Sequence, residues 1–199
     1  MYPFIGVLLR EGKSKTGKII NVLYKDIEKA VIKSGGIPLG VSKENFDLYI
    51  DLCDGFIIQG GDDVDEQEEK IIKRLQDFDI PTLGICLGMQ EMSVVNDGVM
   101  YDIDNHLHQH LHEVNIYKDS FLYKIIKKEK ILVNSRHRSA IKNTNLMISS
   151  VSSDGVVESV EDSMKRFFLG LQWHPENLYE IDSNSKKIFD YFIKICNDK

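Results

Sequence analysis

Cysteine is scarce in this sequence, and its three cysteines, Cys53, Cys86 and Cys196, lie far apart. An odd number of cysteines at long spacings does not form the disulfide framework of small secreted domains. We therefore expect a cytoplasmic, reducing environment, in which a lone thiol stays free to react.

Long apolar runs are also absent. No stretch approaches the ~20 apolar residues that a membrane-spanning helix needs. The opening segment MYPFIGVLLREGKSK has neither a basic region before its apolar run nor a small-residue cleavage site, so it predicts a first strand and not a signal peptide. We expect no membrane partner.

An excess of positive charge is missing as well, since the formal net charge is -6. Nucleic acids and anionic membranes are bound by clustered Lys and Arg, and here acidic residues are interspersed among the lysines. We therefore expect no nucleic-acid partner.

What the chain does contain is the composition of an ordinary globular protein, with 42% hydrophobic and 28% charged residues. A length of 199 residues suits one domain with a substantial core. The sequence has no internal repeat, low-complexity tract or linker. It predicts one domain over residues 1–199.

Strand-like and helix-like segments alternate through the first half of the chain. The apolar spacing predicts helices over residues 20–34, 65–78, 87–95 and 183–196, with short apolar strands between the first three. Such alternation indicates an α/β fold in three layers, with a mostly parallel central sheet and helices on both faces. The second half is richer in strand-like segments, which predicts a smaller antiparallel portion there.

One short segment, GICLGMQEM from Gly84 to Met92, has the form of a nucleophile elbow. In Gly-x-Cys-x-Gly, a tight strand-to-helix turn holds the nucleophile out of the sheet, and the glycines leave room for the turn. The helix N-terminus would stabilise a thiolate at Cys86. Cysteine is also a common packing residue, so the pattern alone leaves both interpretations open for Cys86. For Cys53 and Cys196 we expect packing.

A candidate base occurs late in the chain, in GLQWHPEN, which contains His174, Pro175 and Glu176. Pro175 favours an extended His174, and in an extended segment residues i and i+2 share a face. Glu176 could then orient the imidazole of His174 for a thiol, as in a catalytic triad. Alone, the tripeptide also fits a surface histidine beside a carboxylate.

Taken together, these motifs resemble the class I glutamine amidotransferase-like superfamily, and within it the γ-glutamyl hydrolase branch (peptidase C26), which includes the enzyme that cleaves γ-glutamyl-γ-aminobutyrate. The resemblance runs nearly end to end. The segments that carry it are QGGDDVD, GICLGMQEM, VNSRH, DGVVESVE and GLQWHPE.

The resemblance implies a cysteine-dependent hydrolase of γ-glutamyl amides that forms a thioester, with no cofactor and no metal. Cys86 would be the nucleophile, His174 the general acid/base and Glu176 its orienting partner. Two further sets of residues carry over: the backbone N–H groups of an oxyanion hole at Gly60, Gly61 and Leu87, and substrate-binding side chains at Gln90, Asn134, Ser135 and His137.

Several positions depart from the branch. Leu87 stands where the branch usually has arginine, CLGMQ is more usual in amidotransferases that pass ammonia to a synthase, and the loop after GGDDV is short. The alternative is therefore a glutaminase subunit that supplies ammonia to a synthase partner, and a third hypothesis is a catalytically silent binding protein. The leading hypothesis, a γ-glutamyl hydrolase, implies a small-molecule γ-glutamyl substrate and is compatible with a homodimer.

A run of histidines, NHLHQHLHEV, places His106, His108, His110 and His112 at a period of two. On a strand they would share a face, which suggests a metal site. Zinc sites prefer ligands from separated segments, and no Cys, Asp or Glu with ligand spacing joins the run. We therefore expect structural or adventitious histidines and no metal.

Overall fold

A nine-stranded sheet forms the centre of the fold in a computed structural model, which describes residues 2–62, 64–103 and 111–198. The strands, in chain order, are β1 Phe4–Leu8, β2 Arg10–Lys13, β3 Ile19–Val22, β4 Ile37–Val41, β5 Gly55–Ile58, β6 Thr82–Ile85, β7 Val99–Asp102, β8 His112–Ile116, β9 Lys130–Val133, β10 Ser139–Lys142, β11 Met147–Ser152, β12 Val157–Glu161 and β13 Phe168–Leu171. The helices are α1 Lys25–Lys33, α2 Phe46–Tyr49, α3 Glu66–Asp77, α4 Leu87–Val94, α5 Phe121–Ile126, α6 Pro175–Leu178 and α7 Ser183–Asn197.

The large sheet has a parallel half and an antiparallel half. Its strand order is β4-β1-β5-β6-β13-β12-β11-β8-β9. Neighbours from β4 to β13 pair in parallel, and neighbours from β13 to β9 pair antiparallel. The antiparallel strands β8, β9, β11 and β12 come from the second half of the chain, which confirms the predicted α/β class and its antiparallel portion.

Both faces of this sheet are covered, as strand β5 illustrates. Ile57 packs in a core with residues of α1 and α7, whereas Phe56 and Ile58 pack in a second core with residues of α3 and α4. Successive residues of a strand point to opposite faces, so a strand buried on both faces is apolar throughout. The predicted three-layer arrangement is confirmed.

One predicted helix begins in the wrong place. Residues 20–24 were predicted as the start of a helix, but β3 pairs with β2 as an antiparallel hairpin and α1 begins only at Lys25. Val22, which fits the predicted helical spacing, ends β3 instead, and Ile20 is exposed on this hairpin. Gly17, with φ of 80°, supplies the turn.

The sequence reasoning also missed a second small sheet, in which β10 pairs antiparallel with β7. It lies beside the helix that follows β6, because β10 and β7 both contact α4. Among the residues that the structure describes, no helix is long and apolar enough to cross a membrane.

Candidate active site

Three neighbouring parallel strands bring the predicted catalytic segments to one edge of the sheet. Gly60 follows β5, Cys86 follows β6, and His174 follows β13, and these strands lie side by side in that order. The carboxyl ends of adjacent parallel strands are where open α/β sheets bind ligands.

Cys86 occupies a sharp turn between β6 and α4. Its backbone has φ of 54° and ψ of -108°, a sparsely populated combination for a residue with a side chain. A Cβ atom at Gly84 would lie 2.9 Å from the backbone carbonyl of Gly88, and one at Gly88 would overlap the carbonyl oxygen of Ile58. Both glycines are therefore required by close contacts, as a nucleophile elbow demands.

Replacing Gly88 with alanine is expected to destabilise the protein by about 3 kcal/mol, because the added methyl group clashes with rigid backbone of β5. Urea unfolding measures this. The matched control is Gly40→Ala, whose Cβ would meet only the flexible end of Leu9. Equal stability of the two variants would contradict the steric explanation.

The other two cysteines behave as packing residues, as predicted. Cys53 and Cys196 are buried, one in each apolar core. Burial raises the pKa of the Cys53 thiol to about 11 and the pKa of the Cys196 thiol further. Neither thiol is therefore activated for nucleophilic chemistry.

His174 and Glu176 form the predicted pair, although by a different local structure. Nδ1 of His174 lies 2.7 Å from Oε1 of Glu176, and both side chains are buried. The extended conformation expected for this segment is wrong beyond His174, since Pro175 begins the short helix α6. Pro175 fits the first helical position, and the first turn of α6 brings Glu176 back to the imidazole.

The surroundings of His174 favour its protonated form. Burial by itself would lower the pKa of His174, but its interactions with Cys86 and Glu176 raise it to about 9. An imidazolium beside a thiol stabilises the thiolate. The imidazolium of His174 can therefore donate a proton at neutral pH.

Asn134 lies at the backbone of His174. Its Nδ2 donates to the His174 carbonyl at 3.1 Å, and the His174 N–H donates to its Oδ1 at 2.9 Å. Asn134 directly follows β9, so these two hydrogen bonds fix the backbone of His174 to the end of that strand. The substrate-binding role expected for Asn134 stays a prediction.

The three residues predicted to form the oxyanion hole surround Cys86. A Cβ atom at Gly60 would lie 3.2 Å from Cε1 of His174 and 3.5 Å from Cβ of Cys86. One at Gly61 would lie 3.1 Å from Cδ2 of Leu87. Leu87 is the first residue of α4, so its N–H has no partner within the helix.

Two buried glutamines, Gln172 and Gln90, form a hydrogen-bonded chain that starts at the thiol of Cys86. Nε2 of Gln172 approaches Sγ of Cys86 at 3.7 Å, and Oε1 of Gln172 accepts from Nε2 of Gln90 at 3.0 Å. Gln90 also donates to the Ser139 carbonyl at 2.7 Å. Both side-chain N–H groups of Gln90 donate to protein acceptors, so its side-chain oxygen is the atom that could accept a hydrogen bond from a ligand. Sequence reasoning missed Gln172, although it lies in GLQWH, two residues before His174.

Two cavities meet at Cys86. The larger, about 640 Å³, is lined by Gln90, Leu87, His137 and Ser139, and the smaller, about 290 Å³, by His174 and Glu176. The larger volume is in the range of a small-molecule site, and the smaller lies just below that range.

Arg136, which sequence reasoning missed, lines both cavities. Its Nη2 lies 3.2 Å from Nδ1 of His174 and so places a guanidinium beside the His174–Glu176 pair. Arg138 lines the larger cavity. Asn134 and Ser135 are not among the described residues that line these cavities, and Ser135 is buried.

His137 and His112 share a buried carboxylate. Oε1 of Glu158 lies 3.0 Å from Nε2 of His112 and 3.7 Å from Nε2 of His137. Burial raises the pKa of Glu158, but the two histidines lower it below its usual value overall. His112 thus has a structural partner, as expected.

The other members of the histidine run, His106, His108 and His110, lie outside the described residues. Within residues 2–62, 64–103 and 111–198, no group of three or more His, Cys, Asp or Glu side chains is arranged to hold a metal ion. The absence of a metal stays a prediction for the chain as a whole.

Comparisons with known proteins identify the family to which this chain belongs. A model of the peptidase C26 family matches residues 65–176. The chain is 29% identical to protein NtpR of Enterococcus hirae over 98% of this chain and 99% of that protein. It is 25% identical to the gamma-glutamyl-gamma-aminobutyrate hydrolase PuuD of Escherichia coli K12 over 98% and 93%.

Among solved structures, the fold is similar to the glutaminase domain of Trypanosoma brucei CTPS with bound acivicin. The TM-score is 0.71 at 22% identity, and the match covers 99% of this chain and 94% of that one. The family match spans more than half of the chain and includes both Cys86 and His174. This chain belongs to the peptidase C26 family and is a hydrolase of the glutamine amidotransferase type.

Proposed function

We propose that this enzyme hydrolyses γ-glutamyl amide bonds through a thioester on Cys86. The observation that carries the proposal is the placement of Cys86 on a strained elbow, beside the buried His174–Glu176 pair and at the junction of two cavities. Nucleophile, base and orienting carboxylate are the elements of a triad.

In the first step, the Cys86 thiolate attacks the γ-carbonyl carbon and a C–S bond forms. Negative charge develops on the carbonyl oxygen, within reach of the N–H groups of Gly60, Gly61 and Leu87. The C–N bond then breaks, and the His174 imidazolium gives its proton to the departing amine.

In the second step, neutral His174 takes a proton from water, and the oxygen of that water attacks the thioester carbon. The C–S bond breaks and glutamate leaves. Glu176 holds the imidazole through Nδ1 in both steps, which leaves Nε2 to exchange protons.

The amine side of the substrate faces basic side chains. Arg136 and Arg138 line the larger cavity together with Asp62. Guanidinium groups bind carboxylates well, so an amine that carries a carboxylate fits this cavity. The E. coli relative is a gamma-glutamyl-gamma-aminobutyrate hydrolase, which supports γ-glutamyl-γ-aminobutyrate or a related compound as the substrate here.

Replacing Arg138 with glutamine is expected to raise KM for γ-glutamyl-γ-aminobutyrate by about tenfold, the loss of one charge-assisted hydrogen bond. Steady-state kinetics measures it. The matched control is γ-glutamyl-butylamide, which lacks the carboxylate and whose KM is expected to change little. An equal change for both amides would show that Arg138 does not recognise the carboxylate.

A second candidate is a glutaminase that supplies ammonia to a synthase partner. Leu87, in place of a basic residue beside the nucleophile, and the similarity of fold to a CTPS glutaminase domain favour it. Both functions use the same thioester chemistry and differ in the amine that leaves.

Turnover by the purified protein alone distinguishes the two functions. The protein is incubated separately with γ-glutamyl-γ-aminobutyrate and with glutamine, with Cys86→Ala as the control for contaminating activity. We expect release of glutamate and γ-aminobutyrate without any partner. Glutamine turnover that begins only when a synthase is added would support the second candidate.

We further propose a cytoplasmic location, no nucleic-acid or membrane partner, and a homodimer as the state to test by sedimentation. The three cysteines are free thiols, which supports a reducing environment.

A further inference from the structure

A group of buried charges, centred on Arg10 at the start of β2, lies behind the glycine turn of the site. Nη1 of Arg10 lies 2.5 Å from Oε2 of Glu68, and Nη2 lies 2.9 Å from Oε2 of Glu91. Both carboxylates are fully buried and Arg10 is 7% exposed. We call Arg10, Glu68 and Glu91 the Arg10 cluster. Charges this deeply buried are costly unless their geometry is well satisfied.

Arg10 also binds the glycine turn directly. Its Nη2 donates to the Gln59 carbonyl at 2.7 Å, and its Nε approaches the carbonyl oxygens of Gln59 and Gly60 at 3.2 and 3.3 Å. These carbonyls belong to the two peptide groups whose N–H groups are those of Gly60 and Gly61.

In a trans peptide, the C=O and N–H bonds point in opposite directions. Carbonyls drawn toward Arg10 therefore turn the N–H groups of Gly60 and Gly61 away from it. The opposite side of the turn is the active site, because a Cβ atom at Gly60 would lie 3.5 Å from Cβ of Cys86. A Cβ atom at Gly61 would lie 2.9 Å from Nε of Arg10, so the turn packs directly on the guanidinium.

The cluster also reaches the nucleophile helix. Glu91 lies on α4, which begins directly after Cys86, and its Oε1 also accepts from the Asp65 N–H at 3.3 Å. Glu68 lies on α3 and also pairs with Lys43 at 3.2 Å. The guanidinium of Arg10 thus connects the glycine turn to α4, the helix that follows Cys86, and to α3.

We propose that Arg10 is a positioning residue that holds the oxyanion turn of Gly60 and Gly61 in register with Cys86. The inference rests on the proposed function, since it assumes that these N–H groups stabilise an oxyanion. Arg10 is not among the described residues that line the two cavities at Cys86, and it acts through the two carbonyls that it binds.

The test variant is Arg10→Lys, which keeps a positive charge for Glu68 and Glu91. An ammonium lacks the planar fork of guanidinium and cannot bind both carboxylates and the turn at once. Glu91→Gln is the second variant, because it loosens the link to α4 without leaving an unpaired charge on that helix. Lys43→Met is the matched control, since it removes ion pairs with Glu68 and Asp65 but no contact with the turn.

Two kinetic measurements separate positioning from general damage. In Arg10→Lys, kcat for γ-glutamyl-γ-aminobutyrate is expected to fall about 100-fold, the effect of losing an oxyanion donor, while KM changes little. Inhibition by a γ-glutamyl aldehyde, which forms a tetrahedral oxyanion on Cys86, should weaken by a similar factor. Alkylation of Cys86 by iodoacetamide forms no oxyanion and should keep its rate. Glu91→Gln should show a smaller loss of the same kind, and Lys43→Met none.

A third measurement needs no substrate. In NMR spectra, the backbone amide resonances of Gly60 and Gly61 are expected to shift in Arg10→Lys, while those of Gly84 and Gly170 stay in place. If the wild type hydrolyses no γ-glutamyl amide but the turn resonances still shift selectively, the proposed function fails and the positioning role stands. Unchanged turn resonances with unchanged kcat would overturn the role of Arg10. So would losses that Lys43→Met reproduces, because these would reflect only the stability of the charge cluster.

Discussion

Replacing Cys86 with serine is expected to lower kcat for γ-glutamyl amide hydrolysis by a factor on the order of 10⁶, while the protein stays folded. The site is built around a thiol beside the His174 imidazole, and sulfur is the nucleophile in the proposed thioester chemistry. A serine hydroxyl has a far higher pKa and is not activated by the same surroundings. The measurement is steady-state kinetics together with thermal unfolding.

The matched control for this substitution is Cys53→Ala. Cys53 is a buried thiol that precedes β5, whereas Cys86 follows the neighbouring parallel strand β6, so the two lie toward opposite ends of the sheet. The Cys53→Ala protein should have a somewhat lower free energy of unfolding than the wild type and the same kcat. A Cys86→Ser protein that unfolds, or that retains turnover, would return Cys86 to a packing role.

Removal of His174 has the second largest expected effect. In His174→Ala, kcat should fall by a factor on the order of 10⁴, because the leaving amine loses its proton donor and the thioester loses its general base. The fold should persist, because the two hydrogen bonds with Asn134 are to the backbone of His174, which the substitution keeps. Loss of turnover is measured at saturating substrate, so that binding does not contribute.

Glu176→Gln gives a more selective test of the same pair. The interaction with Glu176 raises the pKa of His174, so removing its charge should lower that pKa from about 9. The imidazolium would then be lost at a lower pH, and the alkaline limb of the rate profile should move toward acid. An unchanged limb would show that His174 is not the group that titrates.

Much of this site could be predicted because its residues occur in short local patterns. Gly84 and Gly88 on either side of Cys86 mark the elbow, because a side chain at either position would clash with nearby backbone atoms. The order of strand ends then follows from parallel pairing, which places Gly60, Cys86 and His174 together.

The pairing of His174 with Glu176 was predicted correctly but for the wrong reason. The spacing suggested an extended segment, whereas Pro175 starts a helical turn. Two residues of separation allow contact in either conformation, so the pattern could not distinguish them.

The remaining features depend on tertiary contacts. Arg10 lies 81 positions before Glu91 and 49 before Gln59, and no local pattern connects them. Gln172 contacts Cys86 across 86 positions. The β2–β3 hairpin was missed because Val22 and Leu23 fit the helical spacing of the residues that follow, although Val22 lies on β3.

The most direct test is to identify the residue that carries the acyl group. The protein is incubated with a glutamine-derived diazo-ketone, digested and analysed by mass spectrometry, with and without excess γ-glutamyl-γ-aminobutyrate. We expect one adduct per chain, on the peptide that contains Cys86, and protection by the dipeptide. An unlabelled Cys86, or equal labelling of Cys53 and Cys196, would contradict a thioester enzyme built on this elbow.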